Sequence, residues 1–200
     1  MARKYTRVEF TFDECEVYPD KYIKELVDDL RSQDMADLIA ACGNAEDAIR
    51  MSVAFSEIVY FYLDDTGKCI SVLGLGAHDD ATLGRQIWSV STNEVERGYI
   101  KSILIKEAKE VIGAWAHKYG LLQNLVNKDN SKSIEYMSRI LGAVFLPEHI
   151  NTNGHIWKPF YIISKGGYSY GSHWTYSFGT ANCKQYRKHK AGIQITATGV

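Results

Sequence analysis

The chain has 200 residues, 46% of them apolar, and its 23 Lys and Arg nearly balance its 24 Asp and Glu, for a formal net charge of -1 at pH 7. That size and composition suit one globular domain, with or without an appendage, and exclude disorder of the whole. The near-neutral balance excludes a general pull toward nucleic acid or membrane, but the ends differ: residues 1–50 carry seven basic and twelve acidic side chains, residues 165–200 five basic and none acidic.

In YTRVEFTF, residues 5–12, the apolar positions Tyr5, Val8, Phe10 and Phe12 mostly alternate, which predicts a half-buried strand. The start MARKYTRVEFTF has no signal-peptide core, and no later apolar run reaches about 18 residues, so no membrane segment is expected. Pro19 opens a helical pattern through Tyr22, Ile23, Leu26, Val27 and Leu30, and a second short helix follows through Met35, Leu38 and Ile39 to Gly43. Asn44 caps a third helix, with Glu46 and Asp47 where a helix start favours negative charge.

Residues 58–63 and 69–75, rich in β-branched and aromatic side chains and joined by DDTGK, predict an antiparallel hairpin. GRQIWSVST, residues 84–92, reads as another strand, and Glu94 starts a long helix with Ile100, Ile103, Leu104, Ala108, Val111, Ile112 and Trp115 on its inner face. Gly120 stops it. LLQNLV at 121–126 is a short strand, Asn130 or Ser131 caps a helix over 133–141, and strands follow at 143–146 and, after NTNG, at 156–164. Beyond Gly166-Gly167 the chain alternates aromatic residues with Gly and Ser, has no helix period, and reads as an extended arm.

Cys15, Cys42, Cys69 and Cys183 form no CxxC pair or ligand cluster, so zinc has no support and reduced core thiols are expected, with cytoplasm as the place of synthesis. His78 in GLGAHDD sits beside two aspartates, but one His with adjacent acids in a loop is common by chance. GLGAH is not followed by a Lys-Ser/Thr helix, and His149, His155, His173 and His189 make no metal motif, so neither group is assigned a role.

The order strand, helices, three strands, helix, strand, helix, strands is similar to the GNAT N-acetyltransferase fold over residues 5–164. The resemblance implies an α/β domain, residues 1–165, with a mixed sheet flanked by helices that splays between its fourth and fifth strands, followed by the arm, residues 166–200. In that fold an arginine or glutamine and two glycines precede the central helix, whose amides hold the diphosphate of acetyl-CoA. In NEVERGYIKSILIKEA, with Leu104, Ile105 and Ala108 on the family's apolar positions, Glu96 replaces the arginine or glutamine, and Tyr99 and Lys101 replace the glycines. Arg97-Gly98 restores a diphosphate site only in a shifted register, and Asn130, where relatives touch cofactor, is also an ordinary cap.

Active enzymes of the fold often place a tyrosine four residues before the glycine that ends the second helix, to protonate the leaving thiolate. Here that position is Ser138; Tyr136 lies about 200° round the helix from it. Glu57 and Glu94 are the carboxylates near strand ends where a general base would stand, and neither has a recognisable partner pattern.

A second likeness is narrower. IEYMSRILGAVFLPEH, a turn, then IWKPFYIISKGG resembles the carboxy-terminal half of the internal virion protein A family of short-tailed phages, described as GNAT-like and not known for acetyl transfer. Members commonly finish near Lys-Gly-Gly, whereas this chain runs on for 33 residues after Gly167. The resemblance implies a bacteriophage virion protein with a catalytically degenerate domain, no cofactor, other virion proteins as partners, and location in the particle after assembly in host cytoplasm.

In the arm, Tyr168, Tyr170, Trp174, Tyr176 and Phe178 are a candidate partner-binding surface, since burying one such ring is worth about 1.5 to 3 kcal/mol. Tyr186, Arg187 and Lys188 in QYRKHK extend it and could reach DNA by stacking and phosphate contacts. Two other functions stay open: an active N-acetyltransferase using acetyl-CoA, with Arg97, Gly98 and Asn130 as cofactor contacts, and a nucleic-acid-binding accessory protein.

Overall fold

The computed structural model describes residues 5–11, 18–76, 84–147, 149–152 and 154–164. Strand β1 (Thr6–Phe10) leads to α1 (Asp20–Asp28), α2 (Ser32–Cys42) and α3 (Ala45–Ala54). Gly43 ends α2 in the left-handed region at φ +81°, a conformation that favours glycine. The next residue caps α3, with Asn44 Oδ1 accepting from the Asp47 N–H at 3.0 Å.

Strands β2 (Ser56–Leu63) and β3 (Cys69–Gly76) pair antiparallel. Their turn is held by the Asp64 carboxylate, which accepts from Thr66 N at 2.8 Å and Lys68 N at 3.0 Å. Strand β4 (Arg85–Ser91) then adds antiparallel to β3. The long helix does not begin at Glu94 as expected. Asn93–Glu96 form a single 3₁₀ turn, Gly98 breaks the path at φ +39°, and α4 (Tyr99–Tyr119) starts after it. Acidic residues suited to a helix start therefore fill a separate short turn.

After Gly120 come β5 (Leu121–Asn127), α5 (Ser131–Leu141), β6 (Val144–Phe145), β7 (Ile150–Thr152) and β8 (His155–Ile163). The sequence reading missed β7: three polar-rich residues show no alternation, yet they close a hairpin, with Ile150 opposite Trp157. The sheet runs β1-β2-β3-β4-β5-β8-β6, with β7 also on β8; β4 and β5 are parallel and the remaining pairs antiparallel.

Alternate strand residues feed two cores. On one face Val59, Phe61, Val72 and Val90 pack with Ile23 and Leu26 of α1 and Ile49 and Val53 of α3. On the other, Leu73, Leu75, Ile87 and Leu122 pack with Leu104, Val111, Ile112 and Trp115 of α4. Cys69 is a buried free thiol, but Cys42 is disulfide-bonded, which corrects the expectation of reduced cysteines throughout; Cys15 and Cys183 lie outside the described residues. Among the described residues no helix is long and apolar enough to cross a membrane.

One cross-strand contact fixes β4 on β3. Trp88 lies over Gly74, where an added Cβ would fall 2.2 Å from the indole, and its Nε1–H donates to Ser56 Oγ at 2.8 Å. Gly74→Ala therefore forces the ring away and is expected to cost about 1–3 kcal/mol in urea denaturation. Wild-type stability in that variant would show that Trp88 does not depend on the bare backbone beneath it.

Candidate functional site

Strands β4 and β5 join and then part. Their parallel pairing is confined to Arg85↔Leu122 and Gln86↔Gln123. The joined end is tight: Gly84, at φ +74°, has no room for a side chain, since a Cβ would lie 2.7 Å from Leu121 Cδ2 and 2.9 Å from Leu121 O. Past that point β4 stays with β3 as far as Ser71↔Ser91, while β5 stays with β8 as far as Asn127↔Trp157. A gap opens between them toward their carboxyl ends.

The ladder shows which backbone groups face the gap. Thr92 N donates to Ile70 O at 2.9 Å, so by alternation the N–H and C=O of Ile87, Ser89 and Ser91 point away from β3 and toward β5. Lys128 N donates to Ile156 O at 2.9 Å, which turns Gln123, Leu125 and Asn127 toward β4. Both groups of Ser91 are taken: Arg31 N donates to Ser91 O at 3.0 Å, and Ser91 N donates to Asp34 Oδ2 at 2.8 Å. Ile87 O accepts from the Asn124 side chain. Between them Ser89 is exposed, with its backbone directed into the gap.

The mouth is built by the start of α2. Asp34, only 6% exposed, takes two guanidinium nitrogens of Arg31 at 2.8–3.0 Å. Burial raises its carboxyl above the ordinary value, against the lowering effects of the Arg31 charge and the Ser91 N–H. Across the mouth Asn130 donates to Asp37 Oδ2 at 2.7 Å, and its Oδ1 caps α5 by accepting from Ser133 N at 3.1 Å. Asn130 is thus a cap and a bridge from α5 to α2.

Beside this mouth, at the start of α4, Glu96 stands among cations. Arg31 Nη1 and Lys101 Nζ each lie 3.4 Å from its carboxylate. Burial opposes ionisation, but the Lys101 hydrogen bond and the charges of Lys101, Lys132 and Arg31 hold the Glu96 carboxyl below its ordinary value. Arg97 turns instead to Glu94, at 2.7 Å. Gly98 is the N-cap of α4 and supplies no side-chain cap. These cations come from the residue before α2 (Arg31), from α4 (Lys101) and from α5 (Lys132), which sequence spacing does not place together.

Other predicted residues are engaged or lie elsewhere. Glu57 accepts from the Tyr119 hydroxyl at 2.7 Å and pairs with Arg85 at 3.2 Å, so it is neither a free base nor simply solvated. Glu94 is held by Arg97. Ser138 is exposed on α5; Tyr136 is half-buried, and burial pushes its phenol up to about 12, so it keeps its proton at neutral pH. His78 lies outside the described residues, as do Tyr168, Tyr170, Trp174, Tyr176, Phe178, Tyr186, Arg187 and Lys188. Among the described residues no group of three His, Cys, Asp or Glu is placed to hold a metal ion. Asn124, Arg31 and Asp34 had no motif to mark them.

No protein-family model matches the chain, and no curated protein does. Solved structures do. A structure from Acinetobacter baylyi described as an acetyltransferase is similar with a TM-score of 0.55 at 11% identity, over 86% of this chain and 99% of that one. The ribosomal-protein-S5-alanine acetyltransferase from Vibrio fischeri gives 0.53 at 10% identity, over 82% and 96%. A structure described as a phosphinothricin N-acetyltransferase gives 0.52 at 11%, over 81% and 99%. The domain has the GNAT-like acetyltransferase fold, a mixed sheet flanked by helices.

Asp34 is what ties α2 to the β4 edge. Asp34→Ala leaves the Ser91 N–H without its acceptor and takes from the Arg31 guanidinium its buried partner, leaving it the exposed Glu96, and is expected to cost about 2 kcal/mol in chemical denaturation. A loss below about 0.5 kcal/mol would mean that water takes the carboxylate's place without penalty.

Proposed function

We propose that the domain is an acyl-CoA-dependent N-acyltransferase whose acyl-CoA arm lies in the gap between β4 and β5. The observation that carries this reading is the parting of two parallel strands, which leaves Ser89 an exposed residue whose backbone groups are turned toward the gap. Those groups suit a chain of amides, because a strand edge recognises an extended amide partner by main-chain hydrogen bonds. Acetyl-CoA supplies a thioester, from which an amine takes the acetyl group while the thiolate leaves and is protonated. The part played by this chain is to align the arm against β4 and to offer N–H groups at the reacting carbonyl.

Arg31, Lys101 and Lys132 fit a diphosphate at the mouth, and Glu96 does not. Glu96 is a surface carboxylate, its side chain 34% exposed, so an incoming diphosphate displaces it and takes over its cations. Asn130 stays a structural bridge in this reading, and Arg97 reaches the ligand only by leaving Glu94.

A second reading, a domain that keeps the fold without turnover, as expected of a phage virion protein, has a different observation behind its loss of turnover. Glu96, Tyr99 and Lys101 stand where the resemblance expects arginine or glutamine and two glycines, and Tyr99 is 52% exposed in the first turn of α4. The phage assignment in this reading is what the sequence resemblance over residues 134–167 implies; the solved structures the chain is similar to are acetyltransferases. In that case the arm docks on other virion proteins or touches DNA, and no cofactor is used.

One experiment separates the two. Thermal unfolding in millimolar acetyl-CoA is expected to shift upward, by about 2.7 kcal/mol of stability if the ligand reaches a hundred times its dissociation constant. Glu96→Gln removes a like charge and is expected to tighten binding about fivefold at low salt, with the gain fading as salt rises. A folded protein that shows no shift in either form leaves the virion reading standing.

A further inference from the structure

We propose that Asn124 sets the depth of the cleft: its carboxamide replaces the first missing rung between β4 and β5 and keeps the strands from zipping further. The register fixes what that rung would have been. Continuing from Arg85↔Leu122 and Gln86↔Gln123, the next bond of a parallel ladder runs from Leu125 N to Ile87 O. That bond is replaced by two. Leu125 N donates to Asn124 Oδ1 at 2.7 Å, and Asn124 Nδ2 donates to Ile87 O. The side-chain amide sits between the two backbones as a peptide group would, with its own donor and acceptor each satisfied.

Gln86 Nε2 also donates to Asn124 Oδ1, at 3.2 Å, and so helps orient the amide. Because Ile87 O and Leu125 N both keep partners, the separation leaves no orphaned polar group at this level. One rung further, the groups that would have met are Ser89 N with Leu125 O, and Asn127 N with Ser89 O; these face the gap. Asn124 is therefore a positioning residue: it determines at which rung the open edges begin.

The side chain type matters. Aspartate would set a carboxylate oxygen against the Ile87 carbonyl, and leucine would fill the same volume with neither donor nor acceptor. The substrate consequence rests on the acyl-CoA reading. From the amide floor to the first open rung is one two-residue repeat, about 7 Å along the strands. That depth, ending on amides of Asn124 and Gln86, suits acetyl or another short acyl group and not a long alkyl chain.

Amide hydrogen exchange, read residue by residue in the full chain, tests the wedge without any ligand. In wild type the Leu125 amide is expected to be protected and those of Ser89 and Asn127 to exchange readily. In Asn124→Ala the strands are expected to zip through the Ile87 rung and the next one: Leu125 stays protected, now on Ile87 O, and Ser89 and Asn127, now bonded to Leu125 O and Ser89 O, slow at least tenfold. Faster exchange at Leu125 with Ser89 and Asn127 unchanged would overturn the proposal. If the alanine variant does not fold, Asn124→Ser is read by the same rates. Thermal shifts with acetyl-, butyryl- and octanoyl-CoA form the second arm, expected to diminish with chain length in wild type and to fall by half or more for acetyl-CoA in the variant. Equal shifts across the series would overturn the depth assignment, whereas no shift with any of them rejects the acyl-CoA reading and leaves the exchange rates to decide the wedge.

Discussion

A β-strand inside a sheet has polar groups on both edges, and each must find a partner or face water. Everything around the gap follows from how β4 meets that requirement after it leaves β5. Ile87 is served by a side chain, Ser91 by the backbone and carboxylate of the α2 start, and Ser89 by the open gap. The α1–α2 connection is drawn to the same place for the same reason. Asn93 bonds to Asp29 and Leu30, and Leu30 forms a bridge with Thr92, so the end of β4 is sealed by a segment some sixty positions earlier in the chain.

Charge at the mouth follows from that sealing. Bringing Arg31 in to serve Asp34 also brings it within reach of Glu96, so one guanidinium links the buried carboxylate and the surface one. The Arg31–Asp34 contact is largely protected from water and salt, and the Arg31–Glu96 contact is open to both. Any anion arriving at the start of α4 meets cations already organised by the fold, together with a carboxylate that must move aside.

Much of the architecture was legible because it rests on local chemistry. Gly43 and Asn44 mark the end of one helix and the start of the next, DDTGK makes a tight turn, and Gly120 stops α4. What escaped depended on distant parts of the chain. Glu94 and Glu96 look like the first turn of a helix, but Asn93 is pinned to the α1–α2 connection and Gly98 resets the path, so the helix starts at Tyr99. β7 is strand only because β8 offers an edge beside it. Asn124 sits in LLQNLV beside Gln123, one of two polar residues in an apolar run, and its role appears only when the register on both sides is known. Asp34 looks like a solvent-facing helix residue until the free edge of β4 comes to lie against it.

The two paired positions between β4 and β5 have a mechanical meaning as well. They are the main-chain seam between two half-sheets, β1 to β4 on one side and β5 to β8 on the other, and α4 spans the same seam as the connection from β4 to β5. A seam that short resists shear poorly compared with the full ladders on either side. Whatever occupies the gap and bonds to both strands acts as a staple, so its effect on the domain is felt as stiffness across the whole sheet as well as contact at one site.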